Sequence, residues 1–140
     1  MRPARVDADR RSARSIADST TPGSPPPVAA GPYRPAVRAG DWIICSGQLG
    51  VQAGELVDGV GAQLRQAVAN LESLLASEGA TLSEVVKTTV FLTDMADFDE
   101  MNGIYLECFS EPRPARSAVA VVALPRGARI EIEAWAFQPS

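Results

Sequence analysis

The sequence predicts an α+β domain, with two helices packed on one face of a mostly antiparallel or mixed sheet. Three observations support this. Two segments repeat apolar residues with helical period, five short runs are β-branched or alternate, and they follow in the order β-β-α-β-α-β-β. The chain has 140 residues, which suits one domain.

Residues 1–30 read as a disordered lead before a single domain at 31–140. They hold five arginines and three aspartates and end in a Pro-Gly-Ser-Pro-Pro-Pro run. Such a segment buries too little apolar surface to offset its ordering entropy. A docking tail is the alternative reading.

Order is expected from Gly31-Pro32-Tyr33. Residues 36–39 and 42–46 are short strands, and Gly40-Asp41 between them signals a hairpin turn. Gly47-Gln48-Leu49-Gly50 breaks the pattern, and a polar loop with Gly54 and Gly59 follows. From Gly61 the period changes. Leu64, Ala67, Val68, Leu71, Leu74 and Leu75 form one helical stripe, which Gly79 stops. Thr81 and Glu84 have capping-box spacing. The β-branched run 85–93 is a strand. Asp97 and Glu100 form a second capping-box pair, opening a helix with the stripe Phe98, Met101, Tyr105, Cys108 and Phe109, which Pro112 and Pro114 end. Strands at 116–124 and 128–137, joined by Pro125-Arg126-Gly127, complete the sheet.

The last strand alternates. Ile130, Ile132, Ala134 and Ala136 point toward the helices, and Glu131, Glu133, Trp135 and Phe137 point away. The strand before it is apolar on both faces beyond its first residues. Two helices cover only one face, so the second apolar face predicts self-association. A tight monomer with scattered exposed apolar residues is the alternative.

Charge narrows the function. The net charge is −4, and with +2 in the first 30 residues the rest carries −6. An acidic body argues against a broad nucleic-acid surface. The absence of histidine excludes Ser-His-Asp and Cys-His mechanisms. Cys45 and Cys108 sit in apolar patterns and read as core thiols. Neither a signal peptide nor a membrane-spanning run is readable, which makes the cytoplasm the expected location.

The candidates for chemistry lie on the face away from the helices: Glu131, Glu133 and, at a strand mouth, Arg116. An arginine fork matches a carboxylate, and a carboxylate in an apolar interface is costly unless paired or functional. Either Arg116 grips a substrate carboxylate while Glu131 or Glu133 handles water and protons, or the residues form a structural ion pair. Backbone N–H groups around Ser46-Gly47-Gln48 can bind an anion, or the run is a plain strand-ending turn. Tyr33 is a hydrogen-bond donor or a packed aromatic. Asn102 lies beside the second stripe, in the site or solvated.

Five runs in this order, GPYRPAV (31–37), ICSGQL (44–49), VVKTTVFLTDMADFDEMN (85–102), PARSAV (114–119) and LPRGARIEIEA (124–134), closely resemble the YjgF/RidA family of imine/enamine deaminases. The resemblance covers about residues 30–138. It implies a chorismate-mutase-like α+β fold and a homotrimer with clefts between subunits. It implies hydrolysis of 2-imino and 2-enamino acids to 2-keto acids and ammonium, with no metal or organic cofactor. By the same resemblance Arg116 anchors the substrate carboxylate and Glu131 positions water, while Tyr33, Ser46, Gly47 and Asn102 line the cleft. Two departures bear on it. Ala118 stands where many members have cysteine, and Arg34-Pro35 where many have Ser-Gln, which alters the cleft rim. A non-catalytic ketoacid-binding module, or a ribonuclease or translation-inhibitor role, is the rival reading.

Overall fold

The computed structural model describes residues 25–29 and 31–139, so the expectation for residues 1–24 lies outside it. A five-stranded sheet runs in the order β1-β2-β7-β5-β6. Its strands are β1 (Ala36–Ala39), β2 (Trp42–Leu49), β5 (Val85–Leu92), β6 (Ala115–Ala120) and β7 (Ile130–Phe137). Every neighbouring pair is antiparallel except β5 and β6. Helices α1 (Val60–Ser77) and α2 (Phe98–Cys108) pack on one face. No helix among the described residues is long and apolar enough to cross a membrane.

The core lies between the helices and that face. Leu64, Ala67, Val68, Leu71, Leu74 and Leu75 of α1 are buried in one cluster with Ile43 and Cys45 of β2 and Val90 and Leu92 of β5. Ile130, Ile132, Ala134 and Ala136 of the central strand β7 are fully buried, as their alternation predicts. Cys45 is buried, and burial pushes its thiol up to about 12, with Glu78 adding to the rise. Cys108 is only half-buried. Gly79 turns the chain after α1 with a positive φ of 79°.

Several boundaries differ from the sequence expectations, each for a local reason. β2 runs on to Leu49 instead of stopping near residue 46. Its register with β7 slips between Cys45 and Gln48, so a bulge at Ser46-Gly47 takes up one extra residue. The polar loop contains a small hairpin, β3 (Val51–Gln52) with β4 (Glu55–Leu56). Arg126 Nη2 donates to Gly54 O at its tip, at 2.7 Å. The predicted Asp97 cap does not form. Asp94 accepts from Ala96 N at 2.9 Å and starts a 3-10 turn that leads into α2. The Asp97 carboxylate instead holds Arg129 Nη2, at 2.8 and 3.0 Å. β7 begins at Ile130, not at 128, because Arg129 N donates to Gln63 Oε1 of α1. β6 ends at Ala120, because β5 offers no partner beyond Leu92.

Among the described residues, no helix covers the other face of the sheet. Trp42, Trp135 and Phe137 form a cluster there, still 38%, 41% and 39% exposed. Trp42 meets Trp135 edge-on with ring centroids 5.9 Å apart, and Phe137 at 4.9 Å.

Candidate active site

Arg116 does not lie beside Glu131. Its register partner in β5 is Thr88, which is fully buried on the helix side. Its side chain reaches α2. Nη1 donates to Asn102 Oδ1 at 2.7 Å and lies 3.7 Å from Met101 Sδ. The guanidinium carbon sits 4.8 Å from the Tyr105 ring centroid and 5.7 Å from that of Phe98. The placement expected on the open face is therefore corrected: β6 carries Arg116 on the face that α2 covers. Ala118, two residues on, packs against the core of that face.

This arrangement uses one end of the guanidinium. Among the described residues, Nε and Nη2 of Arg116 have no hydrogen-bond partner. Those two nitrogens form the edge that takes a carboxylate through two parallel N–H···O bonds. The residue is half-buried, so water only partly screens such a pair.

Glu131 lies on the opposite face. In β7 it stands between Leu49 of β2 and Phe91 of β5. The bulge explains how its carboxylate fits. A Cβ on Gly47 would come 1.8 Å from Glu131 Oε2 and 2.7 Å from Cδ. Gly47 thus leaves the room that the Glu131 carboxylate occupies, and its own φ needs no glycine. Burial pushes the Glu131 carboxyl above the ordinary carboxylate range, and the like charge of Glu133 adds to the rise. A carboxyl shifted this way takes up and returns protons closer to neutral pH.

Ser46 ties the entry to β1 against the bulge. Its N–H donates to Pro35 O at 2.8 Å and its Oγ to Arg34 O at 2.9 Å. This hydroxyl therefore already serves the backbone. Tyr33, just upstream, is half exposed, with its N–H on Gly31 O. Ser46, Gly47 and Glu131 thus form one group, with the Tyr33–Arg34 segment leading into it. Arg116 and Asn102 form another. Asn102 holds Arg116 in place as a hydrogen-bond acceptor.

The sequence places Tyr105 only in the core stripe of α2, yet its ring packs against Arg116. A signal was present. Phe98, Asn102 and Tyr105 fall at i, i+4 and i+7, which puts all three on one helical face. That face receives Arg116.

Comparison with known proteins supplies the relationship. The family described as Endoribonuclease L-PSP matches residues 24–138. A mouse (Mus musculus) protein named 2-iminobutanoate/2-iminopropanoate deaminase is 48% identical over 115 residues, covering 80% of this chain and 85% of that one. The chain belongs to the YjgF/RidA family. Among solved YjgF/RidA structures, RidA from Psychrobacter sp. PAMC 21119 superposes with a TM-score of 0.78 at 41% identity, over 80% of this chain and 93% of its own. TdcF from E. coli, solved with bound serine, gives 0.77 at 36% identity, over 81% and 93%.

Proposed function

We propose that this YjgF/RidA protein hydrolyses reactive 2-imino and 2-enamino acids of three or four carbons to 2-keto acids and ammonium. One observation carries the reading: the open Nε–Nη2 edge of Arg116, backed by an aromatic ring and held by Asn102. It is a ready receptor for a small carboxylate. The names of the mouse deaminase and of serine-bound TdcF agree with a substrate of that size.

One chain alone cannot assemble this site. Arg116 and Glu131 lie on opposite faces of the same sheet, so within one chain the sheet itself stands between their side chains. A substrate of three or four carbons does not bridge them. We therefore assign each site to two copies, one supplying Arg116 with Asn102, the other Glu131 with Gly47, Ser46 and Tyr33. The aromatic open face is the surface that brings the copies together, and a homotrimer with three such clefts is the assembly we propose.

The chemistry needs no nucleophilic side chain. Arg116 holds the carboxylate of the iminium form. Glu131 takes a proton from water as its oxygen bonds to the C=N carbon. Glu131 returns that proton to the carbinolamine nitrogen, the C–N bond then breaks as the hydroxyl oxygen forms the ketone, and the hydroxyl proton passes to the departing ammonia, which leaves as ammonium. An enamine substrate enters after tautomerising to the imine.

The test couples threonine dehydratase to the protein and follows 2-ketobutanoate release. Faster release, lost by a factor of about 100 or more in Arg116→Ala, is expected from removing a charge-assisted bidentate contact. Release as fast with Arg116→Ala as with the parent rejects the mechanism. Ligand affinity by calorimetry without any turnover would instead favour the ketoacid-binding module, a role that serine-bound TdcF keeps in view.

A further inference from the structure

We infer that Tyr105 is a positioning residue that aims Arg116 at the substrate carboxylate, a role that rests on the function proposed above. A long arginine side chain on an edge strand loses much of its rotamer entropy when held in one geometry. Something must hold it before substrate arrives if binding is to be tight. The structure shows a closed triangle of contacts that does so. β-sheet register places Arg116 beside Thr88. Thr88 Oγ1 shares a 2.6 Å hydrogen bond with the Tyr105 hydroxyl. The Tyr105 ring then supports the guanidinium, with Cζ 4.8 Å from its centroid.

Each side of the triangle fixes one freedom. The hydroxyl bond to Thr88 stops the Tyr105 ring from tilting, and Phe109 packs on it at 4.6 Å between centroids. The ring face, negative at its centre, attracts the cation and sets the distance of its plane. Asn102 Oδ1 then fixes rotation within that plane by taking Nη1. What remains is the Nε–Nη2 edge, which has no hydrogen-bond partner among the described residues. Burial pushes the Tyr105 phenol above its ordinary value, which favours the protonated hydroxyl that this bond uses.

The experiment compares Tyr105→Leu, Tyr105→Phe and Thr88→Val with the parent by calorimetric binding of 2-ketobutanoate and by the coupled assay. Tyr105→Leu is expected to weaken ketoacid binding and raise KM by roughly 5- to 30-fold, the range of a partly desolvated cation–π contact. Its kcat should stay within about twofold, since Arg116 grips the carboxylate equally in ground and transition states. Tyr105→Phe keeps the ring and loses only the tether, so it should recover most of the affinity. In an Arg116→Ala background, Tyr105→Leu should cost nothing more, because the ring acts only through the arginine. An unchanged dissociation constant in folded Tyr105→Leu, or full additivity with Arg116→Ala, overturns the inference.

A second readout does not depend on the deaminase reading. The Arg116 Nε–Hε signal in ligand-free protein should show a ring-current shift and slow motion, both lost in Tyr105→Leu and reduced in Thr88→Val. A signal at the position of a free arginine in the parent would overturn the positioning role, even if the protein is a deaminase. Conversely, a parent that neither binds ketoacid nor accelerates release defeats the proposed function, while this signal still decides the role of Tyr105.

Discussion

Gly47 and Gly50 stand three residues apart and carry different constraints. At Gly47 the neighbour is the end of the flexible Glu131 side chain. Gly47→Ala should therefore fold normally and push the carboxylate aside. A misplacement of about 1 Å at a reacting group costs on the order of 100-fold in rate, so kcat should fall by that order with the melting temperature nearly unchanged. At Gly50 a Cβ would lie 2.5 Å from the Cα of Gln63, which is helix backbone and cannot swing away. Gly50→Ala should instead lose about 1–3 kcal/mol of stability by overpacking. Denaturant unfolding beside steady-state kinetics separates the two variants, and equal effects on both measures would contradict this account. The second residue-scale expectation concerns acid. Glu131 must be ionised to take the proton from water, and its pKa is raised by burial first and by Glu133 second. The rate should therefore climb with pH through a limb above the ordinary carboxylate range. Glu133→Gln should move that limb to lower pH, but only part of the way, because burial remains. A limb that stays in place would show that the charge of Glu133 has no part in the shift.

At the scale of elements, legibility followed contrast between faces. β7 was readable because Ile, Ile, Ala and Ala alternate with Glu, Glu, Trp and Phe, and only one set suits a core. α1 was readable because its stripe is continuous over three turns. β6 carried no such contrast. Ala118 and Ala120 on one face and Val119 on the other are all small and apolar, so nothing local said which face meets a helix. The parallel pairing with β5 and the closing of α2 decide it, and both depend on residues distant in sequence. Arg116 stood out as a candidate carboxylate anchor, yet the face it lies on was not legible. The bulge in β2 was hidden for a related reason. Ser46-Gly47 has turn composition, but the strand continues through it because β7 supplies partners on both sides. Asp94 caps the 3-10 turn ahead of α2, while Asp97, at the N-cap position of α2, makes no capping bond because Arg129, 32 residues along, claims its carboxylate.

For the whole molecule, the separation of Arg116 and Glu131 by the sheet makes a prediction that neither residue makes alone. Arg116→Ala and Glu131→Gln should each be nearly inactive. Unfolded together and refolded as a mixture, they should regain activity, because some clefts then pair an intact Arg116 from one copy with an intact Glu131 from another. Activity that stays at the level of the separate variants would place both residues in one chain's site and refute the shared cleft. Light scattering of the parent should give three times 14.8 kDa, and a clean 14.8-kDa species would refute the assembly itself.

The aromatic cluster on the open sheet face also has an optical consequence. The chain contains two tryptophans, Trp42 and Trp135, and both belong to that cluster. Indole emission moves to longer wavelength as water gains access to the ring. The protein thus carries its own fluorophores on the surface where copies are proposed to meet, with none elsewhere to dilute the signal. Emission wavelength followed through serial dilution reports the covering and uncovering of that face, and its midpoint measures the strength of association without any added label.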